Sequence, residues 1–156
     1  MSESVNREIV LLPGEGRSID LGTFAMSVKA TAEITNGSFS LLEADEPPNF
    51  GPPLHIHHDA DEAFYVLSGE YVIFVDDRTF HCPAGSFTFI PKGVTHGFRV
   101  GSVPSRKLNL YSPAAMVGYF DDLATALRTD APEQAVSEIA RRYSMEVVGP
   151  VPEGYV

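Results

Sequence analysis

The sequence predicts an all-β fold, a sandwich or closed barrel, followed by a short helical segment. Three observations predict it. Up to residue 111 the chain is a succession of short β-rich runs separated by Gly, Pro, Asn and Asp, the pattern of a sandwich or barrel and not of a parallel α/β sheet. Beyond Ser112 the apolar period changes from two to between three and four. A chain of 156 residues, 44% hydrophobic and 10% aromatic, suits one domain with one core and excludes a disordered chain.

The expected strands lie at residues 24–31, 37–43, 54–57, 63–67, 71–75, 79–82, 87–90, 97–100 and 107–111. Asp76-Asp77 and Pro83-Ala84-Gly85 read as hairpin turns, because Asp and Gly tolerate the dihedrals such turns demand. In the tail, Tyr119, Phe120, Leu123 and Leu127 recur at helical spacing, as do Val136, Ile139, Ala140 and Tyr143. Asp130 before Pro132 and Glu133 reads as a helix start with a capping oxygen and an acidic first turn. The expected layout is a single domain over 1–156, with the barrel at about 8–111 and the helical tail at about 114–146. Each helix carries one apolar stripe, expected to cover the outside of the barrel or a subunit contact, with no catalytic constellation.

Composition narrows the partners. Eleven Lys+Arg against 21 Asp+Glu give a formal net charge of -10, which argues against nucleic acid and anionic membrane as partners. The single cysteine, Cys82, cannot form an internal disulfide or a thiolate metal cage. Any metal chemistry must therefore use nitrogen and oxygen ligands. The first eight residues lack a basic start and an apolar stretch, and no window is long and apolar enough to span a bilayer. The expectation is a soluble, cytoplasmic protein.

Four of the five histidines fall in two short stretches. On a strand over 54–57, alternation points His55 and His57 to one face and Leu54 and Ile56 to the other. Glu62 follows a short polar segment and can return a carboxylate to that face, with Phe64 and Val66 in its parity. In the second stretch, Pro91 and Gly93 turn the chain and His96 opens a strand on which Phe98 and Val100 share its parity. A lone buried histidine is more often a hydrogen-bonded core residue than a ligand. Three imidazoles and a carboxylate on inward faces are another matter, since burying them without a cation carries a large desolvation cost. Metal binding is the expectation.

These residues resemble the two motifs of the cupins: His55, His57, Glu62 and Gly69 match the first, and Gly85, Pro91, Gly93 and His96 the second. The resemblance implies a double-stranded β-helix, or jelly-roll, barrel with a metal in its interior, held by His55, His57, Glu62 and His96. Two positions depart from the pattern. Asn49 stands where the leading glycine usually lies, and Val100 where the second motif often ends in Asn, which would make that part of the pocket greasier. The stretch from His55 to Gly69 looks most like the quercetin dioxygenase-type single-domain group, which implies O2 chemistry on a small organic, flavonol-like substrate. Glu62 is then both ligand and candidate base. Isomerases, epimerases, decarboxylases and non-catalytic binding proteins share the ligand set and remain open.

Imidazole and carboxylate suit one divalent ion of Fe, Mn, Ni, Cu or Zn and do not choose among them. Phe64, Val66, Phe98 and Val100 are the expected walls of the substrate pocket. His58 breaks the alternation and is expected outside the ligand set; His81 and Cys82 read as structural. Asp59 and Asp61 read as solvated loop acids, with aiming of Glu62 or His58 as the alternative, and Lys92 and Arg99 as charges near the barrel mouth. The expected partners are a small-molecule substrate and a second copy of the chain in a homodimer joined at sheet edges.

Overall fold

The computed structural model describes residues 7–152. In chain order its elements are β1 (Arg17–Asp20), β2 (Ala25–Ala30), the single turn α1 (Ala32–Thr35), β3 (Ser40–Glu46), β4 (Leu54–His57), β5 (Asp61–Ser68), β6 (Glu70–Val75), β7 (Arg78–Pro83), β8 (Phe87–Ile90), β9 (His96–Val100), β10 (Ser105–Ser112), α2 (Val117–Arg128), α3 (Glu133–Arg142) and β11 (Met145–Gly149). The strands form two antiparallel sheets, ordered β1-β2-β3-β10-β5-β8 and β11-β4-β9-β6-β7. The fold is a β-sandwich of two antiparallel sheets with a short C-terminal helical segment, the all-β class that the sequence predicts. Among the described residues no helix is long and apolar enough to cross a membrane.

Every expected strand forms, and three elements go unforeseen. Only Ile19 of β1 is buried, so that strand shows no apolar alternation. The turn α1 is a local device in which the Thr31 hydroxyl caps the Ile34 N–H. Strand β11 starts in the last two residues of the expected helical tail and runs beyond it. Ser144, at φ 56°, breaks the helix, and the following residues pair with β4.

One turn reading holds, and one turn and one helix-start reading are corrected. Asp76-Asp77 does close the β6–β7 hairpin, with Asp76 at φ 53°. Pro83-Ala84-Gly85 closes none: β7 pairs with β6 while β8 pairs with β5, so this turn carries the chain from one sheet to the other. Asp130 does not cap α3 either. It takes a left-handed conformation beyond the end of α2, and Pro132 at the start of α3 makes no side-chain cap.

Apolar burial divides into two clusters. Facing strands supply Phe64, Val66, Tyr71, Ile73, Ile90, Phe98 and Val100 to one. The other joins Leu21, Met26 and Leu42 to Tyr119, Ile139 and Met145. The helices are thus part of the core, and each fully buried apolar side chain contributes roughly 1.5–3 kcal/mol. Polar ties fix their placement: Arg17 donates two hydrogen bonds to Asp121 of α2, and the Tyr143 hydroxyl donates to Asp122 at 2.7 Å.

Candidate metal centre and its cavity

Strand alternation assembles the ligand set. On β4, His55 and His57 share a face, and His55 stands directly opposite His96 of β9. Glu62, on β5, is paired with Tyr111 of β10. One donor atom from each of His55, His57, Glu62 and His96 lies within 4.8 Å of the others. The structure thus brings together all four expected ligands.

Backbone groups aim the imidazoles. His55 Nδ1 is 2.8 Å from the Pro53 carbonyl and His96 Nδ1 is 2.9 Å from that of Val94. With Nδ1–H donating to a carbonyl, Nε2 keeps its lone pair for the centre. The turn before His96 is held from both sides: the Gly93 N–H donates to the His57 carbonyl, and the Lys92 N–H donates to Asp61 Oδ1 at 2.9 Å. Asp61 thus takes a positioning role, through the Lys92 amide of the turn before His96 and not through Glu62 or His58 directly. Its neighbour Glu62 faces the opposite way, into the site.

Charge is concentrated at Glu62. Its Oε1 is 2.8 Å from His96 Nε2, and its Oε2 is 3.6 Å from His57 Nε2, too far for a hydrogen bond. Burial works against ionisation, yet the imidazoles of His57 and His96 hold this carboxyl well below the usual range. Burial likewise opposes protonation of His96, but the Glu62 hydrogen bond and charge raise it above its ordinary value. Burial, helped by His96, pushes His55 down to about 4. Burial and then the Glu62 carboxylate drive the Tyr111 phenol far up, so it stays protonated.

His57 supplies the test of fit. Both of its ring nitrogens are buried and without a hydrogen-bond partner. An imidazole in that state lacks the partners that buried polar groups ordinarily have, and a cation bound at Nε2 would supply one. Three neutral imidazoles and one carboxylate are a donor set for a divalent transition ion.

The cluster opens on a cavity of about 440 Å³, within the usual range for small-molecule sites, whose walls include Phe50, Phe64, Phe98, Met116, Tyr119 and Leu123. The stripes of α2 and α3, expected to cover the outside of the barrel or a subunit contact, instead wall this cavity. Two of the four expected pocket residues, Phe64 and Phe98, line it. Val66 and Val100 do not: they lie in the core beside Tyr71, Ile73 and Ile90. Parity places them on the correct face but one step further along the strand, beyond the cavity floor. Val100 therefore does not make the pocket greasier. Asn49, in the glycine's usual place, has φ 65° and supplies the left-handed turn itself.

Neither Lys92 nor Arg99 lines the cavity; its cation is Lys107, which the sequence reading left unassigned. Lys107 Nζ lies 3.1 Å from Glu46 Oε1 and 4.0 Å from the Phe98 ring centroid. Glu46, Asn109 and Tyr111 also line the cavity. The available signal was parity along β10, since Lys107, Asn109 and Tyr111 alternate on one face. His58 and His81 are exposed, and Cys82 is half-buried against the core.

Residues 43–108 match the family model described as Cupin domain. The chain is 28% identical over 97 residues to quercetin 2,3-dioxygenase of Bacillus subtilis, a match that covers 62% of this chain and 29% of that enzyme. Among solved structures it is similar to an RmlC-like cupin from Shewanella frigidimarina, with a TM-score of 0.61, 20% identity, and 69% of this chain and 93% of that one covered. It is also similar to a predicted oxalate decarboxylase from Thermotoga maritima, with a TM-score of 0.54, 23% identity, and 58% and 80% covered. These structural likenesses are likenesses of fold.

Proposed function

We propose that the chain is a cupin, on its match to the Cupin domain model over residues 43–108 and its likeness of fold to an RmlC-like cupin, and that it is a metal-dependent dioxygenase acting on a small, largely apolar, flavonol-like molecule. One observation carries the reading: a buried ligand set of three histidines and a glutamate opens directly on an apolar cavity of small-molecule size. The similarity to quercetin 2,3-dioxygenase over 97 residues supports the choice of O2 chemistry.

A divalent ion held by His55, His57, Glu62 and His96 would supply Lewis-acid polarisation of a substrate oxygen and a place for O2 to react. Three neutral imidazoles and one carboxylate leave a divalent site with one unit of positive charge, which favours a substrate that binds as a monoanion. Glu62, ionised and beside the site, is the group within reach of the substrate's enol or phenol proton. Tyr111 stays protonated and presents a hydroxyl to the same chamber. Phe64 and Phe98 exclude water and orient a flat ring, and the α2 and α3 residues close the opposite side.

The test is oxygen-electrode recording with protein loaded in turn with Fe(II), Mn(II), Ni(II), Cu(II) and Zn(II), against a flavonol panel. O2 uptake that depends on both metal and substrate is the expected result. Substrate turnover with no O2 consumed would move the assignment to a metal-dependent isomerase or decarboxylase. Tight metal binding with no turnover of any panel member would overturn the flavonol reading.

A further inference from the structure

We infer that the inner face of β10 forms a second recognition site, away from the metal ligands, in which Asn109 and Lys107 bind hydroxyl groups of the ligand. The inference rests on reading the cavity as the substrate chamber, and it names what that chamber selects.

Lys107, Asn109 and Tyr111 alternate along β10 on its buried face, with Lys107 0% and Asn109 4% exposed. Tyr111 is the member beside the metal ligands, paired with Glu62. Asn109 stands two positions away, about 6.5–7 Å, and Lys107 the same distance further. All three line the cavity.

Asn109 and Lys107 each carry unspent hydrogen-bonding capacity. Asn109 Oδ1 is buried with no partner. Lys107 Nζ lies 3.1 Å from Glu46 Oε1 but makes no aligned hydrogen bond. Around it stand the rings of Phe98, Phe64 and Tyr71, at 4.0, 5.2 and 5.5 Å. Glu46 Oε1 is already engaged, accepting from the Tyr71 hydroxyl at 2.8 Å. A buried acceptor or donor left unpaired is a standing penalty that native proteins rarely carry. Two of them on one strand face, both bordering one cavity, have a common explanation in an incoming group.

The chemistry of the pair selects that group. Lys107 donates and Asn109 Oδ1 accepts, and a hydroxyl can answer either. A carboxylate only accepts, so it would leave Asn109 unpaired. It would also bring a second anion beside the buried Glu46 carboxylate, which already neutralises Lys107. A hydrocarbon would leave both groups unpaired. The preferred ligand at this end of the chamber is therefore a neutral, hydroxyl-bearing ring.

Binding of naphthalene, 2-naphthol and 2-naphthoate to the metal-free protein tests this. Without metal, a preference for the hydroxyl cannot come from coordination. 2-Naphthol is expected to bind about tenfold more tightly than either of the others. Asn109→Leu should bring 2-naphthol to within about threefold of naphthalene. In the unsubstituted chain, the side-chain amide signals of Asn109 should shift with 2-naphthol and not with naphthalene, which keeps the test independent of how the variant folds. Equal binding of naphthol and naphthalene, tighter binding of naphthoate, a preference that appears only after Zn²⁺ is added, or a preference that survives Asn109→Leu would each overturn the inference. Failure of Zn²⁺ to bind would instead count against the metal reading and leave the naphthol preference standing.

Discussion

The Gly93 amide donates a 2.8 Å hydrogen bond to the carbonyl of His57. The turn that delivers His96 is therefore hooked to the strand that carries two other ligands. Asp61 takes the neighbouring Lys92 amide from the other side, so ligands far apart in sequence share one backbone frame. Removing a ligand and loosening the frame should have different magnitudes. His57→Ala is expected to weaken metal binding by well over about 100-fold, and Asp61→Ala by about tenfold, because outer supports are worth less than ligands. Competition titration against a metal-sensitive dye measures both.

Metal binding should strengthen as pH rises. His96 is raised above its ordinary value by Glu62, so in the metal-free protein it still holds its proton at the pH where a free histidine is half ionised. Metal must displace that proton, so affinity climbs through this range and flattens once His96 is neutral. His55, pushed down to about 4, has already lost its proton and adds no pH dependence above about pH 5. Calorimetry in buffers of different ionisation enthalpy should show net proton release on metal binding near pH 6.5. No proton release there would contradict the Glu62–His96 pairing.

The helices should behave as core and not as appendage. Ile139, 5% exposed within the cluster that faces the sheet, is expected to cost about 2–5 kcal/mol on truncation to Ala. Leu127 is 50% exposed, and Leu127→Ala should change stability by no more than about 1 kcal/mol. Urea denaturation of the two variants makes the comparison.

Two turn positions should respond in opposite ways. Gly69 has φ 77°, and a Cβ there would lie 2.0 Å from Ser105 Oγ. Gly69→Ala is expected to cost at least about 1–3 kcal/mol from the dihedral alone. Asn49 holds the same kind of conformation without being glycine, so Asn49→Gly should fall within about 1 kcal/mol of the parent. Thermal denaturation would show a large drop for the first and little change for the second.

The Lys107–Glu46 pair should be strongly non-additive. Lys107→Met alone leaves a buried carboxylate without its cation and is expected to cost about 3–5 kcal/mol. Adding Glu46→Gln removes that charge and should recover most of the loss. A double-mutant cycle with no coupling would show that the two charges do not depend on each other.

The metal ligands were legible because their chemistry is conspicuous: ionisable groups at alternating strand positions have few other reasons to face inward. The helices were legible from their apolar period. Strand β10 shows why other residues were not. Its Lys-Leu-Asn-Leu-Tyr run invites the reading that Leu108 and Leu110 face the core, yet Lys107, Asn109 and Tyr111 are the buried set and the leucines are only half-buried on the other face. Alternation reveals that two faces differ, not which one is inside, and it says nothing of depth. Phe64 and Val66 share a parity, and only the first reaches the cavity. Strand β11 escaped because a left-handed Ser144 ends a helical pattern that the apolar spacing alone would have continued.

The pairing of β11 with β4 bears on the order of folding. Met145 stands opposite His57 and Val147 opposite His55, while His55–His96 is the one residue pairing that joins β4 to β9. The strand bearing two ligands thus waits for residues far along the chain to secure its other edge. Contacts so distant along the chain form late, after loop-closure entropy has been overcome. The ligand strand would remain weakly held until β11 docks, and metal capture would follow that docking instead of seeding collapse.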